Sequence, residues 1–292
     1  MRNSTVTCAV IPAAGLGTRL LPATKAIPKE LLPVVDIPAI QYITQEIVDS
    51  GINKIIFITA KGKEAIIDHF DSAPELEAHL ESRSNFKMLD AVRHAGKMAS
   101  FVAVRQDRPL GLGHAIGRSS SVVDGDAFAV VLPDDLIDSE VPALAQLLAV
   151  YEKNTPDAVF ALMEVDPSQT HKYGIIAGEM KEEGIWEVTD MVEKPRDGTA
   201  PSCMAVIGRY ILSKKIFEYI ESTRSGSGGE VQLTDALKLI LKNGGRILGV
   251  TFEGKRFDTG DVSGYIQANL NYALKRPELG ADLRRKISDI LK

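Results

Sequence analysis

Short apolar runs rich in β-formers alternate along this chain with longer stretches of helical periodicity, and this alternation constrains the fold most. Strands are predicted at Thr7–Ile11, Ile55–Thr59, Ala99–Val104, Phe128–Leu132, Ala158–Met163, Ile185–Val192, Met204–Tyr210 and Ile247–Thr251. Helices are predicted at 40–50, 141–153 and 233–242, and a capping box at Ser72 and Glu75 predicts the start of another. Such alternation is typical of an α/β protein with a mostly parallel sheet flanked by helices.

Composition excludes several other classes of protein. Of the 292 residues, 34 are Lys or Arg and 39 are Asp or Glu, a formal charge of −5, which argues against a broadly cationic surface for nucleic acid. The two cysteines, Cys8 and Cys203, predict two unpaired buried thiols rather than a disulfide framework or a zinc site. The N-terminus lacks the pattern of a signal peptide, and no apolar run is long enough for a membrane span. We therefore expect a cytoplasmic protein without nucleic-acid or membrane partners.

A glycine loop follows the first predicted strand and carries three cations. Gly15 and Gly17 allow close approach of the backbone to a ligand, and Arg19, Lys25 and Lys29 follow within the same loop. The loop lacks the Gly-Lys-Ser/Thr of a Walker A motif and the third glycine of a dinucleotide fingerprint. These residues predict a cradle for a polyphosphate at the carboxyl end of a strand.

The same loop resembles a known family. Ala13 to Pro33 resembles the signature of the sugar-nucleotide pyrophosphorylases, and Pro22 to Glu30 is similar to the bacterial UTP–glucose-1-phosphate uridylyltransferases within it. Further similar segments follow in order along nearly the whole chain: 41–42, 69–71, 111–115, 173–174, 192–195, 229–235 and 257–260. The resemblance implies a Rossmann-like nucleotide-diphospho-sugar transferase fold and the conversion of UTP and glucose 1-phosphate to UDP-glucose and pyrophosphate.

The resemblance also implies a magnesium site. Asp134 follows the strand that ends in Leu132, and carboxylates at strand ends suit Mg²⁺ bound to phosphates. The family pattern pairs Asp134 with Asp258, although spacing alone does not select this pair and Asp135 is an adjacent alternative. Because both predicted ligands follow apolar runs, we expect a shared edge of the sheet to bring them together.

Most of the remaining roles come from the resemblance, residue by residue. Ala13, Ala14, Gly15, Gln106 and Gly111 are expected to bind the uracil base, and Gly174 and Glu193 to bind the sugar. Gly17 and Lys25 are expected to contribute to nucleotide binding on the chemistry of the glycine loop itself. Arg19, Lys29 and Lys194 are expected to be catalytic, stabilising pyrophosphate, transition-state charge and the attacking phosphate respectively. His114 is either a phosphate contact or, as we expect, a structurally hydrogen-bonded histidine.

Several alternatives stay open from the sequence alone. Cys203 stands where the family usually has Asn, which either alters sugar discrimination or is neutral because only the backbone matters there. The same reaction could instead use dTTP or another sugar 1-phosphate. Two alternatives belong to other functional classes: a metal-dependent UDP-sugar glycosyltransferase and a catalytically silent homologue.

We expect one domain over residues 1–261, with a nucleotide half to about 135 and a sugar-phosphate half beyond it. A helical tail over 262–292 is expected to contact the core or another subunit of a homodimer or homotetramer, and 225–229 is predicted to be a loop.

Overall fold

The computed structural model describes residues 6–223 and 229–291. Its strands are β1 Val6–Pro12, β2 Pro33–Val34, β3 Ile37–Pro38, β4 Lys54–Thr59, β5 Ser100–Arg105, β6 Ala127–Val131, β7 Asp135–Asp138, β8 Ala158–Glu164, β9 Gly174–Glu182, β10 Ile185–Glu193, β11 Met204–Ser213, β12 Ile247–Thr251 and β13 Lys255–Asp258. Its α-helices are α1 Ala39–Asp49, α2 Glu64–Asp68, α3 Pro74–Ser82, α4 Phe86–Lys97, α5 Leu112–Gly117, α6 Ala143–Asn154, α7 Ile216–Ser222, α8 Leu233–Lys242, α9 Val262–Lys275 and α10 Gly280–Ile290.

Within the described residues, nine strands form one mixed sheet in the order β5-β4-β1-β6-β11-β8-β12-β10-β9. The pairs β4–β5, β1–β4, β1–β6 and β8–β12 are parallel, while β11 and β10 run antiparallel to their neighbours. The chain extends from β1 to β4 and β5 on one side and returns to β6 on the other. Ligands of open α/β sheets bind at the carboxyl ends of the strands where such a reversal occurs.

Successive side chains of the sheet pack alternately into two hydrophobic layers, one on each face. In β1, Ala9 and Ile11 face the layer covered by α1, α6 and α9, whereas Cys8 and Val10 face the layer covered by α5, α7 and α8. This period of two follows from the pleat, which sends successive side chains to opposite faces. The sheet is therefore buried on both faces, and its strand ends are left to carry polar function.

The predicted fold class is confirmed, with local corrections. Each predicted strand is present within one residue at either end, except that β11 continues three residues beyond the predicted end at Tyr210. The capping box is wrong, because Ala73 is the N-cap of α3, Pro74 is the first helical residue and the Ala73 N–H donates to Glu77. The sequence patterns missed β9 and the short strands β2, β3, β7 and β13. The predicted loop at 225–229 lies, apart from Gly229, outside the described residues.

The C-terminal tail is divided between an anchored helix and an outer one. In α9, Ala268 is fully buried, Asn269 accepts from the Val35 N–H, and Tyr272 packs on Tyr42 and Phe257. Beyond it, α10 leaves Ile290 and Leu291 largely exposed. Among the described residues, no helix is long and apolar enough to cross a membrane.

Both cysteines are unpaired, as predicted. Cys8 is fully buried in β1, and burial raises the pKa of its thiol. Cys203 is half-buried rather than fully buried, which corrects that part of the expectation.

Candidate active site

The loop after β1 presents its backbone to a cavity of about 480 Å³. Gly17 has φ 68°, a left-handed conformation that favours glycine, and Thr24 Oγ1 donates to its carbonyl at 2.7 Å. At Gly15 no other atom lies within 4 Å of where a Cβ would be, so the backbone there is open to a ligand. Ala14, Gly15 and Gly17 line the cavity with Lys29. Ala13 is different, because it is fully buried and its N–H donates to the Ile58 carbonyl.

Gln106 and Gly111 line the same cavity as the glycine loop. Gln106 is only 6% exposed, and its backbone N–H extends the parallel pairing by donating to the Thr59 carbonyl. Its side-chain nitrogen lies 2.8 Å from Nδ1 of His114 and 3.3 Å from the Gly111 carbonyl oxygen. The expectation of a hydrogen-bonded His114 is confirmed.

The turn at Gly111 is packed against the segment that precedes α8. The Val231 N–H donates to the Leu110 carbonyl, and the Gly113 N–H donates to the Val231 carbonyl, both at 2.8 Å. A Cβ on Gly111 or Gly113 would lie 2.8 Å from that carbonyl oxygen, which is too close for any other residue. Glycine is therefore needed at both positions for the loop at 110–113 to pack against the segment at 230–234.

Asp134 and Asp258 meet at the carboxyl end of β6. Lys29 Nζ lies 2.5 Å from Asp134 Oδ2, and the Arg19 guanidinium lies 3.5 Å from both carboxylates. Gly260 supplies the space, because a Cβ there would lie 2.7 Å from Asp134 Oδ2 and 3.0 Å from Asp258 Oδ1. Two of the three predicted catalytic cations, Arg19 and Lys29, thus form one cluster with the predicted metal ligands.

The route by which the two carboxylates meet differs from the expectation. Asp134 follows β6 of the central sheet, as expected, but Asp258 is the last residue of β13, which pairs antiparallel with β7 in a separate two-stranded ribbon, with Asp135 opposite Asp258. The backbone N–H and the hydroxyl of Thr259 both donate to the Asp134 carbonyl, at 2.8 and 3.0 Å. The ribbon joins the end of β6 to a segment more than a hundred residues later.

The carboxylates differ in their electrostatic surroundings. Burial acts to raise the pKa of Asp134, but Lys29 and Arg19 outweigh it, so that the pKa lies below the ordinary value. The pKa of Asp258 is raised by burial and by the neighbouring carboxylate of Asp135, with Arg256 opposing. Burial opposes the charged form of Lys29, yet Asp134 raises its pKa, so the ammonium stays charged. The cluster holds opposite charges that a polyphosphate or a cation can rearrange.

Buried arginines that the sequence patterns did not indicate support this cluster. Arg256 binds Asp135 through its Nε at 2.7 Å and contacts Asp258 at 3.5 Å, which assigns Asp135 a structural role. Arg209 is completely buried, forms a two-point ion pair with Glu46 of α1 at 2.7 and 2.8 Å, and donates to the carbonyls of Asp135 and Gly208. Removing one member of a buried pair leaves an uncompensated charge, so Arg209 ties the turn that carries Asp134 to α1.

A second, larger cavity of about 1040 Å³ opens on the other side of the carboxylates. Gly174 and Glu193 face each other across the β9–β10 pair, and Glu193 Oε2 accepts from the Thr234 hydroxyl at 2.6 Å. Lys194 follows with φ 44°, a strained conformation for lysine, and its N–H donates to the Tyr173 carbonyl. Its side chain is 60% exposed, and its ammonium lies 3.6 Å from Glu193 Oε1. The predicted sugar residues therefore share one cavity with a cation beside them.

Lys25 and Cys203 line neither cavity. Lys25 is exposed on a 3₁₀ turn, Ala23–Lys25, so the structure does not bring it to the other predicted nucleotide residues. At Cys203 the backbone carbonyl accepts a hydrogen bond from the Val165 N–H at 3.0 Å.

Comparison with known proteins agrees with the fold and the site. The nucleotidyl transferase family model matches residues 8–275. The chain belongs to the nucleotidyl transferase family. It is 45% identical over 282 residues, covering 97% of both proteins, to the UTP–glucose-1-phosphate uridylyltransferase of Staphylococcus epidermidis. The predicted resemblance is thereby confirmed.

Two solved structures of such enzymes share the fold. A UDP-glucose pyrophosphorylase complexed with UDP-glucose superimposes with a TM-score of 0.84 at 42% identity, covering 93% of this chain and 100% of that one. The UTP-bound UGPase of Acinetobacter baumannii gives a TM-score of 0.88 at 38% identity, covering 97% and 98%. Members of this enzyme family are nucleotidyltransferases, which generally use a divalent metal.

Proposed function

We propose that the chain transfers the uridylyl group of UTP to glucose 1-phosphate, giving UDP-glucose and pyrophosphate. One observation carries the proposal: the two cavities are adjacent and share Leu112, Leu132 and Asp134 in their walls. A nucleotide in the smaller cavity and a sugar phosphate in the larger one would meet at the carboxylate cluster. The substrates are inferred from the names of the similar enzymes, and the structure has two adjacent cavities in which they could bind.

The smaller cavity fits the nucleotide. The open backbone at Gly15 and the side chain of Gln106 line one cavity, and the amide oxygen of Gln106 can accept a hydrogen bond from the N3–H of uracil. From this base site the triphosphate would extend toward Lys29 and Arg19. These cations would carry charge on the β- and γ-phosphates and on the departing pyrophosphate.

The larger cavity fits glucose 1-phosphate. Glu193, held by Thr234, presents a carboxylate to paired sugar hydroxyls, and Gly174 lets the sugar approach the backbone. Lys194 would neutralise the sugar phosphate. That phosphate is already ionised at neutral pH, so attack on the α-phosphorus of UTP requires positioning and charge neutralisation rather than a general base.

The carboxylate cluster fits Mg²⁺. Asp134 and Asp258 offer hard oxygen ligands to one point beside Gly260, and the described residues contain no group of three side chains that would complete a metal site. Mg²⁺ commonly binds one or two carboxylates and takes its other ligands from phosphates and water. When bound there, it would neutralise charge that develops on the α-phosphate.

We also propose that the protein acts in the cytoplasm as a homodimer or homotetramer. Val262 and Ile266 of α9, and Ile290 and Leu291 at the end of α10, are all more than half exposed. Apolar side chains on two consecutive helices suit a subunit contact.

The test is release of pyrophosphate from UTP and glucose 1-phosphate as a function of Mg²⁺ concentration. The wild type is expected to need Mg²⁺ and to prefer UTP to dTTP. Asp258→Asn should lose most Mg²⁺-dependent turnover, whereas Asp124→Asn, a matched change at an exposed carboxylate that pairs with Lys54 and lines neither cavity, should keep it. Wild-type turnover by Asp258→Asn would contradict the metal assignment, and equal use of dTTP would contradict the assignment of UTP.

A further inference from the structure

The contacts around Gln106 restrict which end of its side-chain amide can face the nucleotide cavity. The nitrogen Nε2 lies 3.3 Å from the Gly111 carbonyl oxygen and 2.8 Å from Nδ1 of His114. A carbonyl oxygen can only accept a hydrogen bond, so the amide must turn its NH₂ group toward Gly111. One amide hydrogen is used there, and the other points to His114.

This arrangement also determines the state of His114. Because Gln106 donates, Nδ1 of the imidazole must accept, so this hydrogen bond requires the tautomer that carries its proton on Nε2. Both amide hydrogens of Gln106 are then engaged. Its Oε1 has no donor among the described residues and is not enclosed by protein, so it is left for the cavity that Gln106 lines.

An oxygen in this position distinguishes pyrimidines by the hydrogen-bonding character of N3. Uracil and thymine both carry an N3–H, which an amide oxygen accepts, whereas N3 of cytosine is itself an acceptor and would face that oxygen without a hydrogen between them. A site built to pair with a group disfavours analogues that lack it, because the buried polar atom is left unpaired. Had the amide turned the other way, its NH₂ group would have suited cytosine.

We propose that His114 is a positioning residue for base specificity: it holds the Gln106 amide with its oxygen toward the base and thereby selects UTP over CTP. The proposal rests on the base site described under the proposed function. It gives His114 no contact with substrate, since its effect passes through Gln106.

The test compares two substitutions of similar shape, His114→Leu and His114→Asp. At pH 8 the aspartate side chain can only accept hydrogen bonds, so it can still accept one from the NH₂ group of Gln106. Leucine offers no acceptor and removes this hydrogen bond. The ratio of kcat/KM for UTP to that for CTP should fall by about tenfold or more in His114→Leu, the factor that about 1.4 kcal/mol represents. In His114→Asp the ratio should stay within about threefold of wild type, since about 0.65 kcal/mol corresponds to that factor.

Two controls separate orientation of the amide from general loosening of the cavity. The ratio of UTP to dTTP should not change in His114→Leu, because both bases carry the N3–H. In a Gln106→Leu background, adding His114→Leu should leave the UTP-to-CTP ratio where Gln106→Leu alone puts it. Thermal unfolding of each variant verifies that it is folded.

The proposal is overturned if His114→Leu keeps the wild-type UTP-to-CTP ratio, or if it shifts the UTP-to-dTTP ratio equally. Affinities for UTP and CTP are also measured by titration calorimetry, without glucose 1-phosphate. Wild-type protein that binds UTP selectively but releases no pyrophosphate would refute the proposed function and leave the dependence on His114 measurable. Wild-type protein that binds both nucleotides equally would refute the role of His114.

Discussion

Gly260→Ala tests whether the carboxylate cluster is the working centre of the molecule. Gly260 lies between Arg19, Asp134 and Asp258, and its φ is outside the left-handed region, so alanine strains no backbone angle. The added Cβ would lie 2.5 Å from Arg19 Nη2 and 2.7 Å from Asp134 Oδ2, whereas ordinary contact begins at 3.4 Å. The two groups must therefore retreat by 0.9 and 0.7 Å (3.4 − 2.5 and 3.4 − 2.7).

These displacements set the expected size of the effect. A misplacement of about 1 Å in a reacting arrangement costs on the order of 10²-fold in rate. The atoms that move are the ends of side chains, so the fold should tolerate the methyl group. We expect kcat for UDP-glucose synthesis to fall by about 100-fold, with a melting temperature within about 4 °C of wild type, the shift that about 1 kcal/mol produces at this size.

The matched control is Gly96→Ala. Gly96 lies in α4 away from both cavities, and a Cβ there would lie 3.1 Å from the Phe70 carbonyl oxygen, short of ordinary contact by only 0.3 Å (3.4 − 3.1). This variant should keep wild-type kcat. The reasoning is refuted if Gly260→Ala also keeps it, or if its loss of activity is accompanied by unfolding.

Three further predictions concern support for the site and the sugar cavity. Arg209→Met should lower the free energy of unfolding, measured by urea denaturation, by about 3–5 kcal/mol. The control Arg246→Met removes an exposed two-point ion pair with Glu187 and should lower it by less than about 1 kcal/mol. Equal losses in the two variants would contradict the role of burial. Lys194→Ala should lose about 2–5 kcal/mol of transition-state stabilisation, and an unchanged kcat/KM would remove Lys194 from the site. Thr234→Val should cost about 1.5–3 kcal/mol in kcat/KM for glucose 1-phosphate, the range for a hydrogen bond to a charged group. Its KM for UTP should not change, and a rise in both would indicate a general structural effect.

Much of the fold was predictable because the signals are local. The strand β1 and the glycine loop after it are contiguous in sequence, and so is α8, predicted over the residues it occupies, 233–242. Their apolar periodicity and turn residues act within a few positions, so a single chain segment shows them. The capping box failed because Pro74 shifts the start of α3 by one residue from Ser72.

The supporting residues were not predictable, because their partners are distant in the chain. Arg209 meets Glu46 across 163 positions, and Arg256 meets Asp135 across 121. Neither arginine lies in a pattern that marks a buried charge, and the strands β7 and β13 are only four residues each. Pairing over such distances is decided by packing of the whole fold, which no local pattern records.

The family pattern placed most of the site residues in the two cavities, but it did not supply their arrangement. Gln106 was expected near the base, yet the orientation of its amide follows from contacts with Gly111 and His114. Lys25 shows the converse case: its sequence position beside other cations suggested a phosphate contact, while the 3₁₀ turn leaves it on the surface. Short loops can direct neighbouring side chains to different sides.

The central claim is that both substrates are held side by side and that the sugar phosphate attacks UTP directly. Exchange of labelled pyrophosphate into UTP tests this claim when glucose 1-phosphate is left out. Direct attack predicts no exchange without the sugar phosphate and rapid exchange once UDP-glucose and Mg²⁺ are supplied. Exchange with UTP and pyrophosphate alone would show that the protein itself accepts the uridylyl group, which would contradict the account.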